Sequence, residues 1–277
     1  MTDKPFPLLS RALPLCLMLG LAACGSPAPQ GRAPLPNAAA TSLPMGVVTA
    51  PNFGDRKPHP WDGRAPSAYA VHGTDTSRYQ PPVDWALARA NGVNFTFVKA
   101  TEGADDTDPM FRQHWDGARA AGVATGAYHF WYHCATGRAQ AQNYIRQVPR
   151  ATGALPPVLD LEWTPFSPTC TRRPPQAELL AEAQTFIDMV ARHYGQMPIV
   201  YVSPDIFKDR ELWRLRGVEF WLRSVAGHPS QVYPGTRWTF WQYSGTGQIP
   251  GKPGDGDLNV FAGSPAEWRA WLARRTR

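Results

Sequence analysis

Two acidic residues end an apolar run in the middle of the chain, and they are the side chains best suited to chemistry. They are Asp160 and Glu162, in the segment Leu155-Pro-Pro-Val-Leu-Asp-Leu-Glu-Trp163. Residues i and i+2 of a β-strand share a face, so the two acids project together while Leu161 points away. Two carboxyls held close and out of water repel, so one keeps its proton while the other stays charged. Such a pair can supply the proton and the negative charge that cleavage of a glycosidic bond requires.

Two further acids lie at the ends of apolar runs. Asp75 ends the first run, in Gly73-Thr-Asp-Thr-Ser-Arg-Tyr-Gln80, and Asp257 begins the last, in Gly254-Asp-Gly-Asp-Leu-Asn259. A D-x-E pair alone is more often a pair of surface acids or a cation site. Acids at the carboxyl ends of several barrel strands instead favour an active site, because β/α barrels build their sites at that face.

The elements that must position these acids alternate from residue 69 onward. Strand-like apolar runs are separated by stretches of helical periodicity, and Gly92, Gly122 and Gly195 lie where helices should end. This order favours a parallel barrel, but the later connections are too short for full helices. We predict an α/β fold, an irregular TIM-like β/α barrel with eight strands and fewer than eight helices. The predicted strands are 69–75, 94–101, 123–131, 157–163, 198–203, 219–225, 238–244 and 257–261, and the predicted helices are 83–90, 109–121, 138–148, 175–194 and 265–275.

The N-terminal residues predict export and a lipid anchor. Residues 1–23 have a basic start and a short apolar run, as in a secretory signal peptide. The run ends in Leu21-Ala-Ala-Cys24, which resembles the lipobox of bacterial lipoproteins, where cleavage precedes an acylated cysteine; an ordinary signal peptide is the alternative. Gly25 in place of Asp favours the outer membrane, facing the periplasm, in a Gram-negative source. Residues 24–68, with nine prolines, predict a tether, which leaves 69–277 as the catalytic domain.

Two cysteines remain within 69–277, Cys134 and Cys170. In an oxidising compartment a lone pair of cysteines is a disulfide candidate. Closing this loop would contribute about 4 kcal/mol in the chain-entropy model. Two free buried thiols are the alternative.

Six ordered motifs across 69–277 resemble those of glycoside hydrolase family 25, the N-acetylmuramidases often called Chalaropsis-type lysozymes. The motifs are Gly73-Thr-Asp-Thr-Ser-Arg-Tyr-Gln80, Phe97-Val-Lys-Ala-Thr-Glu-Gly103, Gly122-Val-Ala-Thr-Gly-Ala-Tyr-His-Phe130, Pro157-Val-Leu-Asp-Leu-Glu162, Trp241-Gln-Tyr-Ser244 and Asp257-Leu-Asn259. The resemblance implies an irregular β/α barrel that hydrolyses the β-1,4 bond between N-acetylmuramic acid and N-acetylglucosamine in peptidoglycan. It also implies retention assisted by the 2-acetamido group of the substrate. A non-catalytic peptidoglycan-binding lipoprotein is the alternative function.

The resemblance assigns roles to the four acids. Glu162 would be the proton donor and Asp160 would support the reacting centre. Asp75 and Asp257 would line the sugar subsite next to the scissile bond.

Other residues in or beside the motifs are candidate substrate contacts, with barrel packing as the alternative for the aromatic ones. They are Tyr79, Tyr128, Tyr201, Trp241, Tyr243 and, at the cleft rim, Glu102. Lys99 is expected to pair with a cleft carboxylate, and His129 is expected to be structural. Two departures from the family pattern are Thr74, where relatives commonly have Ile or Val, and Arg223, where a small or apolar residue is usual.

The composition excludes several other classes of protein. With 43% hydrophobic and 18% charged residues among 277, the chain is neither disordered nor a polytopic membrane protein. A net charge of +6, dispersed along the sequence, does not favour nucleic-acid binding. No P-loop, dinucleotide or H-E-x-x-H motif occurs. We expect a monomer without metal or other cofactor, whose partners are peptidoglycan glycan strands and, through the lipid anchor, the membrane.

Replacing Cys24 by alanine tests the lipid anchor. The variant should move from the membrane fraction to the soluble periplasmic fraction, because it cannot carry the acyl chains that hold a lipoprotein. Cell fractionation and immunoblotting measure this partition. Cys16→Ala is the matched control, since Cys16 is removed with the signal peptide. Unchanged membrane partition of Cys24→Ala would contradict the prediction.

Overall fold

A computed structural model describes residues 46–276. The predicted signal peptide and Cys24 lie outside these residues. Ten strands are present: β1 Gly54–Asp55, β2 His72–Thr76, β3 Phe95–Glu102, β4 Asp106–Thr107, β5 Ala124–Phe130, β6 Val158–Leu161, β7 Ile199–Val202, β8 Glu219–Arg223, β9 Phe240–Gln248 and β10 Gly256–Phe261. Each of the eight predicted strands corresponds to one of them, and the two-residue strands β1 and β4 were not predicted.

Seven α-helices surround the strands in the described part of the chain: α1 Trp85–Ala90, α2 Phe111–Ala120, α3 Gly137–Gln147, α4 Gln176–Tyr194, α5 Pro204–Asp209, α6 Pro229–Val232 and α7 Pro265–Arg275. The short α5 and α6 were not predicted, because four to six residues are too few for a periodic pattern. Gly92, Gly122 and Gly195 follow α1, α2 and α4 with positive φ, as expected of helix ends. None of the described helices combines the length and apolar character needed to cross a bilayer.

Eight strands close into a barrel in the order β2, β3, β5, β6, β7, β8, β9, β10 and back to β2. Neighbours are parallel from β2 to β9, whereas β10 is antiparallel to both β9 and β2. The predicted irregular α/β barrel with fewer than eight helices is confirmed. It is mixed rather than parallel throughout, because residues 249–255 are too few for a helical crossover and return the chain as a hairpin.

The interior of the barrel is filled with aromatic side chains at the end opposite the carboxyl ends of the parallel strands. The ring centroids of Phe97 and Trp221 lie 4.8 Å apart, and those of Phe95 and Phe240 lie 4.9 Å apart. Trp268 of α7 packs against Phe95, with the ring centroids 5.7 Å apart. The barrel is therefore a packed core, and a cleft can form only at its other end.

Residues 46–68 pack against the barrel, although they fall within the predicted tether. β1 pairs with β9, and the buried Asn94 bonds to both backbone groups of Thr49, accepting from its N–H at 2.8 Å and donating to its carbonyl at 2.9 Å. Arg89 donates to the carbonyl of Val47. The folded chain thus starts earlier than the predicted boundary at 69, because polar side chains of the barrel bind its backbone and because Val48, Phe53 and Trp61 pack against the core.

Asn94→Ala should destabilise the protein by about 2–4 kcal/mol, because it leaves buried backbone groups of the N-terminal segment without partners. Asn52→Ala removes one exposed hydrogen bond to Asn91 and is the matched control, expected to change stability by less than about 0.5 kcal/mol. Urea unfolding of both variants measures the difference. Equal unfolding midpoints would show that the segment does not contribute to the stability of the barrel.

Candidate active site

A cleft of about 530 Å³ opens at the carboxyl ends of the parallel strands, and all four predicted catalytic acids line it. Asp75 is on β2, Asp160 is on β6 and Glu162 follows β6 directly. Asp257 is near the start of β10, and because this strand runs antiparallel, its start lies at the same end of the barrel. In a parallel strand, an acid at this position would lie at the opposite end of the barrel. The antiparallel direction of β10 therefore brings Asp257 to the cleft.

Asp75 is held by two amide side chains. Its Oδ2 accepts hydrogen bonds from Gln242 Nε2 at 3.0 Å and from Asn259 Nδ2 at 2.8 Å. The amides are themselves oriented, since Tyr201 donates to Gln242 Oε1 and Trp221 Nε1 donates to Asn259 Oδ1, both at 2.8 Å. Donors fixed in this way stabilise a carboxylate, so Asp75 is arranged to carry negative charge.

Asp257 shares the pocket of Asp75 and is arranged to hold a proton. Burial, the negative charge of Asp75 and a hydrogen bond with it raise the pKa of Asp257 to about 8, against the lowering effect of Lys252 and Arg223. At neutral pH Asp257 therefore retains a proton beside the Asp75 carboxyl.

Lys252 bonds to the strand that carries Asp75, on the face of Thr74 rather than of the cleft, and the sequence did not reveal it. Only 4% of the residue is exposed. Its Nζ donates to the carbonyl of Asp75 at 2.6 Å and to Thr74 Oγ1 at 2.7 Å, and Thr74 in turn donates to the carbonyl of Asp257 at 2.7 Å. Burial lowers the pKa of Lys252, whereas both aspartates raise it. The ammonium group thus ties the backbones of both acids together, and Gly256 leaves room for its stem.

Asp160 and Glu162 form the second carboxyl pair. Burial raises the pKa of both, and the charge of Glu162 raises that of Asp160 further. The positive charge of Arg223 works in the opposite direction on Glu162. Leu161 points into the core between strand and helices, as the alternation predicts. Both carboxyls are therefore harder to ionise than exposed acids, and the half-buried Glu162 is the member closer to solvent.

His133 holds the backbone at the acid pair. Its Nε2 lies 2.7 Å from the carbonyl oxygen of Glu162, to which it can donate, and its ring packs against Trp163 at 4.9 Å. Burial lowers the pKa of His133, so the ring is neutral at pH 7. No motif in the sequence signals this role, since the contact spans 29 residues.

Three of the predicted aromatic contacts line the cleft, namely Tyr79, Tyr128 and Tyr201. Tyr79 is 78% exposed on the rim, whereas Tyr201 is buried in the hydrogen-bond network. Phe166 also lines the cleft and is 96% exposed. It was not predicted, although its position between two prolines directly after the acid pair was the available signal.

The predicted sugar contacts Trp241 and Tyr243 require correction. Neither lines the cleft: Trp241 is fully buried and donates to the carbonyl of Ser224 at 2.7 Å, and the hydroxyl of Tyr243 lies 3.1 Å from His72 Nδ1. Alternation along β9 is the reason. Phe240 and Gln242 face the barrel interior and the cleft, so the residues between and after them face the outer layer.

The remaining polar predictions fall at the cleft wall or behind it. Glu102 lines the cleft, and Lys99 Nζ bonds to its carboxylate at 2.7 Å, which is the ion pair expected of Lys99. His129 is fully buried between Thr101 and Gln140, and burial lowers its pKa to about 4. It is a neutral structural residue.

A disulfide joins Cys134 to Cys170, with the Cα atoms 6.0 Å apart. It closes the base of residues 163–168, which form one wall of the cleft and carry Phe166. Thr164 donates to the carbonyl of Cys170 across the same loop. The wall is therefore held by covalent and hydrogen bonds rather than by regular structure.

The cleft combines two pairs of carboxyl groups, three members of which have raised pKa values, with a solvent-facing rim of aromatic groups. This arrangement can donate a proton and stabilise positive charge at neighbouring points. In residues 46–276, no group of three or more His, Cys, Asp or Glu side chains is placed to hold a metal ion.

Known proteins resemble this chain in sequence and structure. The model of the glycosyl hydrolases family 25 matches residues 74–252. The uncharacterized protein YegX of Escherichia coli K12 is 32% identical over 217 residues, covering 76% of each chain. Lysozyme M1 of Streptomyces globisporus is 32% identical over 218 residues, covering 74% of this chain and 72% of its own. A family 25 glycosyl hydrolase from Bacillus anthracis superposes with a TM-score of 0.68 at 30% identity, covering 78% of this chain and 98% of its own.

Lys252→Met should make Asp257 titrate at a higher pH than the wild-type value of about 8. A buried positive charge favours the ionised carboxyl, so removing it favours the protonated form. Carboxyl ¹³C NMR titration of aspartate-labelled protein measures this pKa, with Asp257→Asn to assign the signal. Lys208→Met, on the exposed surface of α5, should leave the titration unchanged. An unaltered or lower pKa in Lys252→Met would contradict the role given to the lysine.

Proposed function

This chain belongs to glycosyl hydrolase family 25 and is a lysozyme that hydrolyses peptidoglycan, and from that premise we propose that Glu162 is its general acid. The reaction cleaves the β-1,4 bond between N-acetylmuramic acid and N-acetylglucosamine. The presence of all four acids in the cleft favours this function over that of a non-catalytic peptidoglycan-binding lipoprotein. The observation that supports the role of Glu162 is its place in a buried carboxyl pair on the cleft wall.

Glu162 is the member of its pair that can deliver a proton. It is half-buried and lines the open cleft, while Asp160 lies deeper, with 7% of its surface exposed. Burial raises the pKa of Glu162, so it remains protonated at a pH where an exposed glutamate would be ionised. His133 fixes the backbone at this position, so the carboxyl can keep a constant direction toward the leaving oxygen.

Asp160 supports the reaction as the buried partner of Glu162. Its Oδ1 is buried and accepts no hydrogen bond from the part of the chain that the structure describes. Burial and the charge of Glu162 raise the pKa of Asp160. When Glu162 gives its proton to the leaving oxygen, the negative charge left on the carboxyl pair stabilises the positive charge that develops at the sugar.

Asp75 and Asp257 form the opposite wall of the same subsite. Asp75, fixed by its two amide donors, can present a carboxylate to the sugar, and Asp257 can present a carboxylic acid proton. One wall thus offers both an acceptor and a donor. Such a wall suits a sugar whose N–H and oxygen atoms must be held in a fixed orientation.

The cellular setting is a second part of the proposal. The signal-like residues 1–23 and the Leu21-Ala-Ala-Cys24 motif support export and a lipid anchor at the outer membrane, facing the periplasm. Peptidoglycan lies in that compartment, within reach of an anchored enzyme.

Glu162→Gln should lower kcat/KM on peptidoglycan by roughly 10²–10⁴-fold, because the shape is kept and the transferable proton is lost. The full chain is incubated with isolated sacculi, and new reducing-end muramic acid is measured by mass spectrometry. Glu178→Gln, which breaks a surface ion pair with Arg172, is the matched control and should retain wild-type activity. Wild-type rates in Glu162→Gln would assign the acid to another residue.

A further inference from the structure

Arg223 occupies a position in the cleft that a neutral residue could fill. It ends β8 and lines the cleft together with the four acids. Trp221 is in register with Tyr201, and Tyr201 is in register with Asp160. Arg223 and Glu162 each lie two residues beyond this level. Their side chains therefore lie at the same height of the cleft, on β8 and directly after β6, with β7 between them.

Arg223 is the cation of the cleft that lacks a protein partner. Among residues 46–276, no carboxylate lies within 4.0 Å of its guanidinium and no acceptor takes a hydrogen bond from it, whereas Lys99 pairs with Glu102. Lys252 donates its hydrogen bonds to Thr74 and to the carbonyl of Asp75 and does not line the cleft. Because none of its nitrogen atoms is buried, the guanidinium is open to a ligand in the cleft.

The charge of Arg223 opposes the acid role of Glu162 in the free enzyme. A neighbouring cation lowers the pKa of a carboxyl, and Arg223 has this effect on Glu162. An anion bound to Arg223 would offset that effect and raise the pKa of Glu162 further when substrate is present. A planar guanidinium fork binds a carboxylate through two parallel hydrogen bonds, which makes a carboxylate the anion best suited to it.

We propose that Arg223 binds a carboxylate of the peptidoglycan strand and thereby selects glycans that carry acidic groups next to the scissile bond. The inference rests on peptidoglycan as the substrate and deepens the function proposed above. Two sources of the same chemistry exist in that polymer. One is the lactyl carboxylate of a muramic acid residue without its peptide, and the other is a carboxylate of the stem peptide. Polymers of N-acetylglucosamine offer neither.

Binding by the inactive enzyme tests this proposal independently of catalysis. The full chain carrying Glu162→Gln is compared with Glu162→Gln/Arg223→Gln by calorimetry. Each is titrated with soluble glycan strands before and after their carboxylates are converted to methylamides. The Glu162→Gln protein should bind untreated strands roughly 10-fold more tightly than amidated strands, the effect of one charge-assisted contact. The double variant should bind both at the weaker level. Arg112→Gln on the surface of α2 is the matched control and should keep the preference.

The two sources are separated by using strands with and without stem peptides. A preference only in peptide-free strands identifies the lactyl carboxylate, and a preference only in peptide-bearing strands identifies the stem. Equal binding of untreated and amidated strands of both kinds by the Glu162→Gln protein overturns the proposal without reliance on any Arg223 variant. An equal loss of affinity for both forms in the double variant also overturns it. Neither result bears on Glu162, whose role is decided by the release of reducing ends.

Discussion

Crowding of carboxyl groups in one buried cleft is the constraint on which the rest of this structure depends. Burial and mutual repulsion make four ionised acids in such a place costly, and hydrogen-bond donors are divided unequally between two pairs. Within the first pair, Asp75 receives two amide donors and Asp257 retains a proton. Within the second, Asp160 and Glu162 receive fewer donors, and burial raises the pKa of both. The difference in hydrogen bonding is what gives the pairs different roles.

The barrel supplies these donors because alternation brings the right side chains inward at one level. Gln242 of β9 and Asn259 of β10 meet at Asp75 only because these strands form a hairpin and run in opposite directions. A helical crossover between them would have turned Asp257 to the packed end of the barrel. The site therefore requires the irregularity of the fold. Because β10 runs antiparallel, residues at its start lie at the same end of the barrel as the carboxyl ends of the parallel strands.

The sequence was sufficient for the strands, the long helices and the four acids, because each depends on local periodicity or on a motif. It was insufficient where three-dimensional pairing decides. Trp241 and Tyr243 lie in a motif segment. The pairing of β9 with β8, however, fixes which alternate residues of β9 face the cleft, and it places these two on the outer face. Lys252 lies in a glycine-rich turn without periodicity, and only the closed barrel brings its ammonium group beneath Asp75. The packing of residues 46–68 depends on side chains later in the sequence, such as Arg89 of α1 and Asn94 just before β3.

Thr74 and Lys252 depend on each other as hydrogen-bond partners. An aliphatic residue at 74 would leave the buried ammonium of Lys252 with one acceptor fewer, and an aliphatic residue at 252 would leave the Thr74 hydroxyl without that donor. Each polar group therefore requires the other. Together they place a positive charge near Asp257 that lowers its pKa, and neither side chain lines the cleft. The wall that faces the sugar therefore keeps its shape. Because Lys252 offsets the negative charge of the acids from outside the cleft, the cleft surface itself stays free to bind substrate.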